Sequence, residues 1–139
     1  MINIDDNDRE ILKILQRDSS PSLEAIAEQV GVSLNTCWRR IQRLEETGAI
    51  EKRVAILDAK KLGKPLTVFV SVRTNDHSKD WAERFAKAVE SFPEIVEFYR
   101  LAGDIDYLLK LIVADVEDYD RTYQRLIAKI GLSDVTASF

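Results

Sequence analysis

Apolar positions recur at helical spacing through the first third of the chain, then mix with strict alternation in the remainder. In "DDNDREILKILQRDSSPS" the residues Ile11, Leu12, Ile14 and Leu15 follow the helical period, with Asp5 placed to cap and Asp6 and Asp8 in the first turn. The pattern fades in the polar loop that follows. Ser22 then caps "SLEAIAEQV", where Leu23, Ile26, Ala27 and Val30 share a stripe, and Gly31 suits the left-handed position that closes a helix. Ser33 caps a third helix that stops at Gly48. Its Leu34, Cys37, Ile41 and Leu44 form one seam, expected to face the first two helices. Two helices joined by Gly31-Val32-Ser33 have the sequence form of a helix-turn-helix, spanning about 22–46. "AIEKRVAIL" is β-prone and basic, which predicts a short wing or a leading linker strand, and "DAKKLGKP" reads as a linker. The first domain is therefore placed at 1–62.

The second rhythm begins at "LTVFVSVRT" (66–74), where Leu66, Val68, Val70 and Val72 alternate with Thr67, Phe69, Ser71 and Arg73, as a strand requires. A helix follows over 78–92, with Trp81, Phe85, Ala88 and Val89 on one face. Strands are expected at 95–103 and 106–114, joined through Gly103-Asp104-Ile105. A second helix over 116–130 has Val116, Tyr119, Tyr123, Leu126, Ile127 and Ile130 as its buried stripe, and 134–139 begins a last strand. The order β-α-β-β-α-β predicts a ferredoxin-like domain over 66–139. The fold class is α+β: a (winged) helix-turn-helix domain followed by a ferredoxin-like one. A sheet with helices on one side leaves its other face bare, and apolar residues such as Phe69 or Val68 there would need cover.

Charge changes this picture. A net charge of −4 and a pI near 5.1 argue against nucleic acid as a partner when read as totals. The total hides segregation: residues 33–64 hold eight basic and four acidic residues, whereas 1–32 hold three and seven. Short-range contacts feel the local field once salt screens beyond ~8–10 Å. The one cysteine, Cys37, excludes an internal disulfide and a Cys-based metal cluster, and reads as a core residue of the seam. With no charged-then-apolar leader and no apolar run near ~18 residues, no membrane span is expected and the compartment reads as cytoplasmic. No Ser/His/Asp set, metal cluster or phosphate loop is present, and His77 sits in a polar turn. No cofactor and no catalysis are expected.

The outward side of the third helix carries Asn35, Thr36, Arg39, Arg40, Gln42 and Arg43, with Trp38 near the boundary. Arginine can hold guanine O6 and N7, Asn and Gln suit adenine, and hydroxyls or helix N-terminal amides take phosphate. The candidate DNA-binding set is Ser33, Asn35, Thr36, Trp38, Arg39, Arg40 and Arg43. Asn35, Thr36 and Trp38 or Arg39 are expected toward bases, with Arg40 and Arg43 divided between base and phosphate. The alternative is a solvated face in which the arginines pair with Glu45 and Glu46, and a Trp38 that anchors against the second helix. One such helix covers only roughly 600–1,000 Å², so a double-stranded operator calls for a dimer reading two half-sites.

The stretch "INIDDNDREILKILQRDSSPSLEAIAEQVGVSLNTCWRRIQRLEETGAI" and, later, "LAGDIDYLLKLIV" together resemble the Lrp/AsnC family of feast/famine transcriptional regulators, over nearly the whole chain. The resemblance implies a ligand-sensing (RAM, AsnC-type) second domain and self-association as a homodimer, extending to even-numbered rings such as an octamer. It also implies an amino-acid effector at the Gly-Asp loop, with Gly103 and Asp104 at its centre and Leu101, Ala102, Asp106 and Tyr107 around them. There a carboxylate would meet the effector's ammonium, and backbone N–H groups its carboxylate. An ordinary hairpin turn is the other reading of Gly-Asp. Ala102 stands where members often carry threonine, and members usually run somewhat past the position of Phe139, which predicts a trimmed chain. Two other functions compete: a tetrapyrrole-pathway decarboxylase of the same architecture, for which His77 is poorly placed, and a helix-turn-helix used only for protein contact.

Overall fold

A computed structural model describes all residues, Met1 to Phe139, and divides them into two compact units, Met1–Ile56 and Leu57–Phe139. In the first unit α1 (Asp6–Arg17), α2 (Leu23–Val30) and α3 (Leu34–Glu46) enclose a core of Ile11, Ile26, Ala27, Cys37, Ile41 and Leu44. Each helix starts on the polar cap its sequence supplies. The Asp8 N–H donates to Asp5 Oδ1 at 2.9 Å and the Asp5 N–H returns the bond to Asp8 Oδ2 at 3.2 Å, a reciprocal capping box. Ser22 and Ser33 accept from the N–H groups of Ala25 and Thr36, each at 3.1 Å. Gly31, at φ +82°, donates to the Ala27 carbonyl and turns the chain from α2 into α3.

Two expectations change here. Leu34 is 46% exposed and lies outside the core, because the first residue of α3 stands beyond the side chains of α1 and α2, whose packing begins at Cys37. Residues 49–57 form neither a wing nor a strand. The unit holds no second strand to complete their hydrogen bonds, and Val54, Ile56 and Leu57 remain exposed. The compact units meet at 56/57, and 58–64 fold as a turn of their own. The Lys64 N–H donates to the Ala59 carbonyl at 2.8 Å, and the Lys64 ammonium reaches Asp118 at 3.1 Å.

The second unit follows the order β1 (Leu66–Arg73), α4 (Lys79–Glu90), β2 (Ile95–Arg100), β3 (Tyr107–Val113), α5 (Val116–Lys129) and β4 (Asp134–Ser138). The strands pair antiparallel in the order β2-β3-β1-β4, the ferredoxin-like arrangement. Val70 faces Leu109 on one side and Ala137 on the other. Because side chains alternate, Val68, Val70 and Val72 share the helix-covered face with Tyr107, Leu109, Leu111 and Val113. Val68 therefore cannot lie on the open face with Phe69. It is buried, whereas Phe69 is 43% exposed. On α5, Val116 is exposed and Thr122 takes a buried place, its hydroxyl satisfied by donating to the Asp118 carbonyl at 2.9 Å. No helix is long and apolar enough to cross a membrane.

Phe85 is the packing centre of this unit. Its ring lies 5.0 Å from Trp81, 4.8 Å from Tyr107 and 5.6 Å from Phe98 between centroids. Phe85→Ala is expected to destabilise the unit by about 3–5 kcal/mol, followed through Trp81 fluorescence in urea. A loss below about 1 kcal/mol would mean that the cluster repacks freely.

Candidate nucleic-acid interface

α3 buries Cys37, Ile41 and Leu44 and turns Asn35, Trp38 and Arg39 outward. Trp38 is 51% exposed, so it stands off the bundle rather than anchoring it. Arg39 makes no ion pair, and Thr36 is half-buried. The Ser33 hydroxyl, besides capping the helix, donates to Thr36 Oγ1 at 2.9 Å. Both hydroxyls are thus tied to the helix start, where backbone N–H groups and the helix dipole favour an anion.

Arg40 and Arg43 behave differently. Arg40 Nη1 donates to Asp5 Oδ1 and Oδ2 at 2.7 and 2.6 Å and to Asp8 Oδ1 at 3.1 Å. Arg43 Nη2 donates to Asp8 Oδ2 at 2.5 Å, and its Nη1 to the Asn3 carbonyl at 3.1 Å. Glu45, the partner these arginines would have had on the alternative reading of a solvated face, pairs with Arg53 at 2.8 Å. The Arg40 hydrogen bonds, aided by the Asp8 N–H, hold the Asp5 carboxyl down at about 2, and the Arg40 guanidinium is pushed up by its bonds to Asp5 and Asp8. The seven candidate residues thus occupy one helix and its cap, but they form two groups. Asn35, Trp38 and Arg39 face solvent, while Arg40 and Arg43 face the start of α1.

Sequence reading missed Asp5 and Asp8 as partners of that second group. The contacts span 32 to 40 residues, beyond any helical periodicity. A signal was present in the opposite charges of the two segments, with acidic residues concentrated in 1–32 and basic ones in 33–64.

At the β2–β3 turn Leu101, Ala102, Gly103 and Asp104 are exposed. The turn is closed by the Leu101 N–H donating to the Asp106 carbonyl at 2.8 Å. Gly103 has φ +128° with nothing within 4 Å of where a Cβ would stand, so backbone conformation, not close approach, calls for glycine. Asp106 turns inward and accepts the Thr74 N–H at 2.9 Å, and Tyr107 enters the aromatic core. Leu101, Asp106 and Tyr107 line a cavity of about 250 Å³ together with His77, Lys79 and Arg100. Ala102, Gly103 and Asp104 do not line it. Arg100, Lys79 and His77 were absent from the sequence-based set, since nothing local marks them. Two cations and a carboxylate lining one cavity match a zwitterion in chemistry. No group of three or more His, Cys, Asp or Glu side chains could hold a metal ion.

Residues 4–51 match a winged helix-turn-helix DNA-binding model, and residues 67–139 match the Lrp/AsnC ligand binding domain. The glutamate uptake regulatory protein of Zymomonas mobilis is 49% identical over 98% of this chain and 83% of its own length. The crystal structure of an AsnC family transcriptional regulator from Agrobacterium tumefaciens superposes with a TM-score of 0.93 at 51% identity, over 98% of this chain and 89% of that one. A Neisseria meningitidis transcriptional regulator in complex with L-Met gives a TM-score of 0.91 at 29% identity, over 99% and 89% of the two chains.

The Asp5–Arg40 pair has a defined acid limit. Its folded carboxyl lies at about 2 against an ordinary 3.8, so its stabilisation is complete above the ordinary value and lost as pH falls through the folded one. Asp5→Ser keeps a capping oxygen and removes the charge. Urea titrations of wild type and Asp5→Ser should differ by a constant amount above about pH 4 and converge by about pH 2. Convergence already at pH 5 would contradict a pair of this strength.

Proposed function

Because the chain belongs to the Lrp/AsnC family of transcriptional regulators and is not an enzyme, we propose that it binds double-stranded operator DNA through the outward face of α3, as a dimer or a larger even-numbered assembly, under the control of a free amino acid. The observation that carries the reading is the unpartnered group Asn35, Trp38 and Arg39 on the second helix of a helix-turn-helix. Asn35 is an adenine reader and Arg39 a guanine or phosphate reader by their donor geometry, and Trp38 offers apolar contact to a thymine methyl or a sugar. Ser33 and Thr36, at the positive end of the helix dipole, suit a phosphate oxygen.

A single reading helix gives marginal specificity, and the open sheet face supports pairing as the remedy. It presents Phe69, Leu108, Ile112 and Tyr99 around a Lys110–Glu97 ion pair at 3.3 Å, Lys110 standing opposite Phe69 in the middle of the sheet. The cavity beside the β2–β3 turn supports the effector role. Arg100 and Lys79 would meet a carboxylate and Asp106 an ammonium, while Ala102, Gly103 and Asp104 stand exposed in the adjoining turn. The L-Met complex of the Neisseria relative lends weight to an amino acid as the class of ligand. Such a ligand shifts DNA affinity only by its differential affinity for two arrangements, about 1.4 kcal/mol for a tenfold change. A regulator of this kind works where the chromosome lies, in the cytoplasm.

Selection of bound duplexes from a random pool, repeated with each of the amino acids, tests the reading. Enrichment of two half-sites about 10–10.5 base pairs apart, or a multiple of that, is expected. A pool that shows no enriched sequence would remove the DNA-binding reading. Calorimetry tests the sensing half separately: heat is expected for at least one amino acid and should be lost in Arg100→Ala. Silence for every one would leave a DNA-binding protein without this effector class.

A further inference from the structure

We propose that Asp5 and Asp8 withdraw Arg40 and Arg43 from DNA, making these arginines positioning residues that fix the angle of α3 and leaving sequence discrimination to Asn35, Trp38 and Arg39. The proposal rests on the DNA-binding reading above.

The side chain of Asp8 is 1% exposed, and every hydrogen bond it accepts comes from three donors: Arg40, Arg43 and the Asp5 N–H. A carboxylate sealed in this way cannot give up its cations, since no water replaces the donors it would lose. Arg43 is bound at both ends, one Nη to Asp8 and the other to the Asn3 carbonyl. With each Nη held on a protein acceptor, the guanidinium cannot swing out to present its Nη pair to guanine without breaking one of these bonds. Arg40 has its Nη1 shared among three carboxylate oxygens. The groove these residues line also contains Asn3 and Arg39, about 390 Å³ in all. Its two bound guanidinium groups are balanced by two carboxylates, which leaves Arg39 as the one arginine there that is free to attract phosphate. A phosphate approaching Arg40 would meet the half-exposed Asp5 carboxylate first.

This arrangement does positive work for recognition. α1 and α3 are joined by ionic contacts at the α1 start, beyond the apolar seam that Ile11, Ile41 and Leu44 provide. Apolar contacts alone allow a helix to roll, whereas two guanidinium groups on one buried carboxylate define its rotation. Rotation of α3 decides which side chains reach base edges.

A double-mutant cycle in operator affinity against salt separates positioning from contact. The variants are Arg40→Gln, Asp5→Ser and both together, measured on the selected operator and on an unrelated duplex. Arg40→Gln is expected to weaken operator binding at every salt concentration, within the roughly two- to thirtyfold range of residues acting through a neighbour, and to leave the log–log salt slope unchanged. Asp5→Ser leaves Arg40 and Arg43 on the single charge of Asp8, so one uncompensated positive charge should steepen the slope by about 0.9 and reduce the preference for the operator over the unrelated duplex. That steepening should vanish in the double variant. Arg40→Lys keeps a cation for Asp5 and Asp8 while removing the fork, so selection should return the same operator sequence from it, and this readout stands even if Arg40→Gln folds poorly. A slope flattened by about 0.9 in Arg40→Gln, an Asp5→Ser slope that equals wild type or stays steep in the double variant, or a changed base preference in Arg40→Lys would each overturn the proposal. Wild-type protein that selects no DNA would overturn the functional reading itself. These inference-specific outcomes leave that reading standing.

Discussion

A carboxylate shut away from water must be met by positive charge, and in the first unit that requirement falls on Asp8. Its position within the first turn of α1 ties it to the capping box with Asp5, so the same two residues that start the helix also hold the arginines of α3. Start of helix, packing of helices and orientation of the exposed face are consequently one problem. The apolar core is small, built around Ile11, Ile26, Ala27, Cys37, Ile41 and Leu44, and a unit of this size gains specificity of arrangement from a polar contact that hydrophobic packing cannot supply.

The second unit solves its orientation problem without buried charge. Strand alternation sends Val68, Val70 and Val72 to the helices and Phe69 to the open face, and the stacked Trp81–Phe85 pair fixes α4 against β2 and β3. On the helix-covered face, polar contacts are kept to the end of the sheet. Asp106 braces the chain after β1 by accepting the Thr74 N–H, and Arg100 ends β2 beside the same cavity. Under the proposed function the two units would separate the labour of a regulator: one side of a helix for a polyanion, one sheet margin for a small charged molecule.

Local features were legible in the residues. Caps at Asp5, Ser22 and Ser33, the Gly31 closure and the alternation of β1 act within a few positions of themselves, so sequence alone located six elements of the second unit and three of the first. What sequence could not resolve depends on partners far along the chain. "AIEKRVAIL" has the composition of a strand, yet a strand exists only where another supplies hydrogen bonds. Leu34 fits the seam by periodicity, but its neighbours have already ended. Thr122 looked polar, and only its bond to the Asp118 carbonyl makes it a core residue. Periodicity assigned Arg40 and Arg43 to the outward side, and side chains of that length reach acceptors that a helical wheel does not show.

The extended run after α3 carries a hazard that the rest of the fold does not. Residues 51–57 have no backbone partners, and they include Val54 and Ile56, the latter 95% exposed. Free N–H and C=O groups beside bare β-branched side chains are a template for adhesive, strand-to-strand aggregation. Glu51, Lys52 and Arg53 open the run, and Asp58, Lys60 and Lys61 follow it. These flanking charges act as gatekeepers, making indiscriminate stacking of such segments costly in water. A few surface charges that contribute nothing to the core thus restrain the segment from pairing with its like.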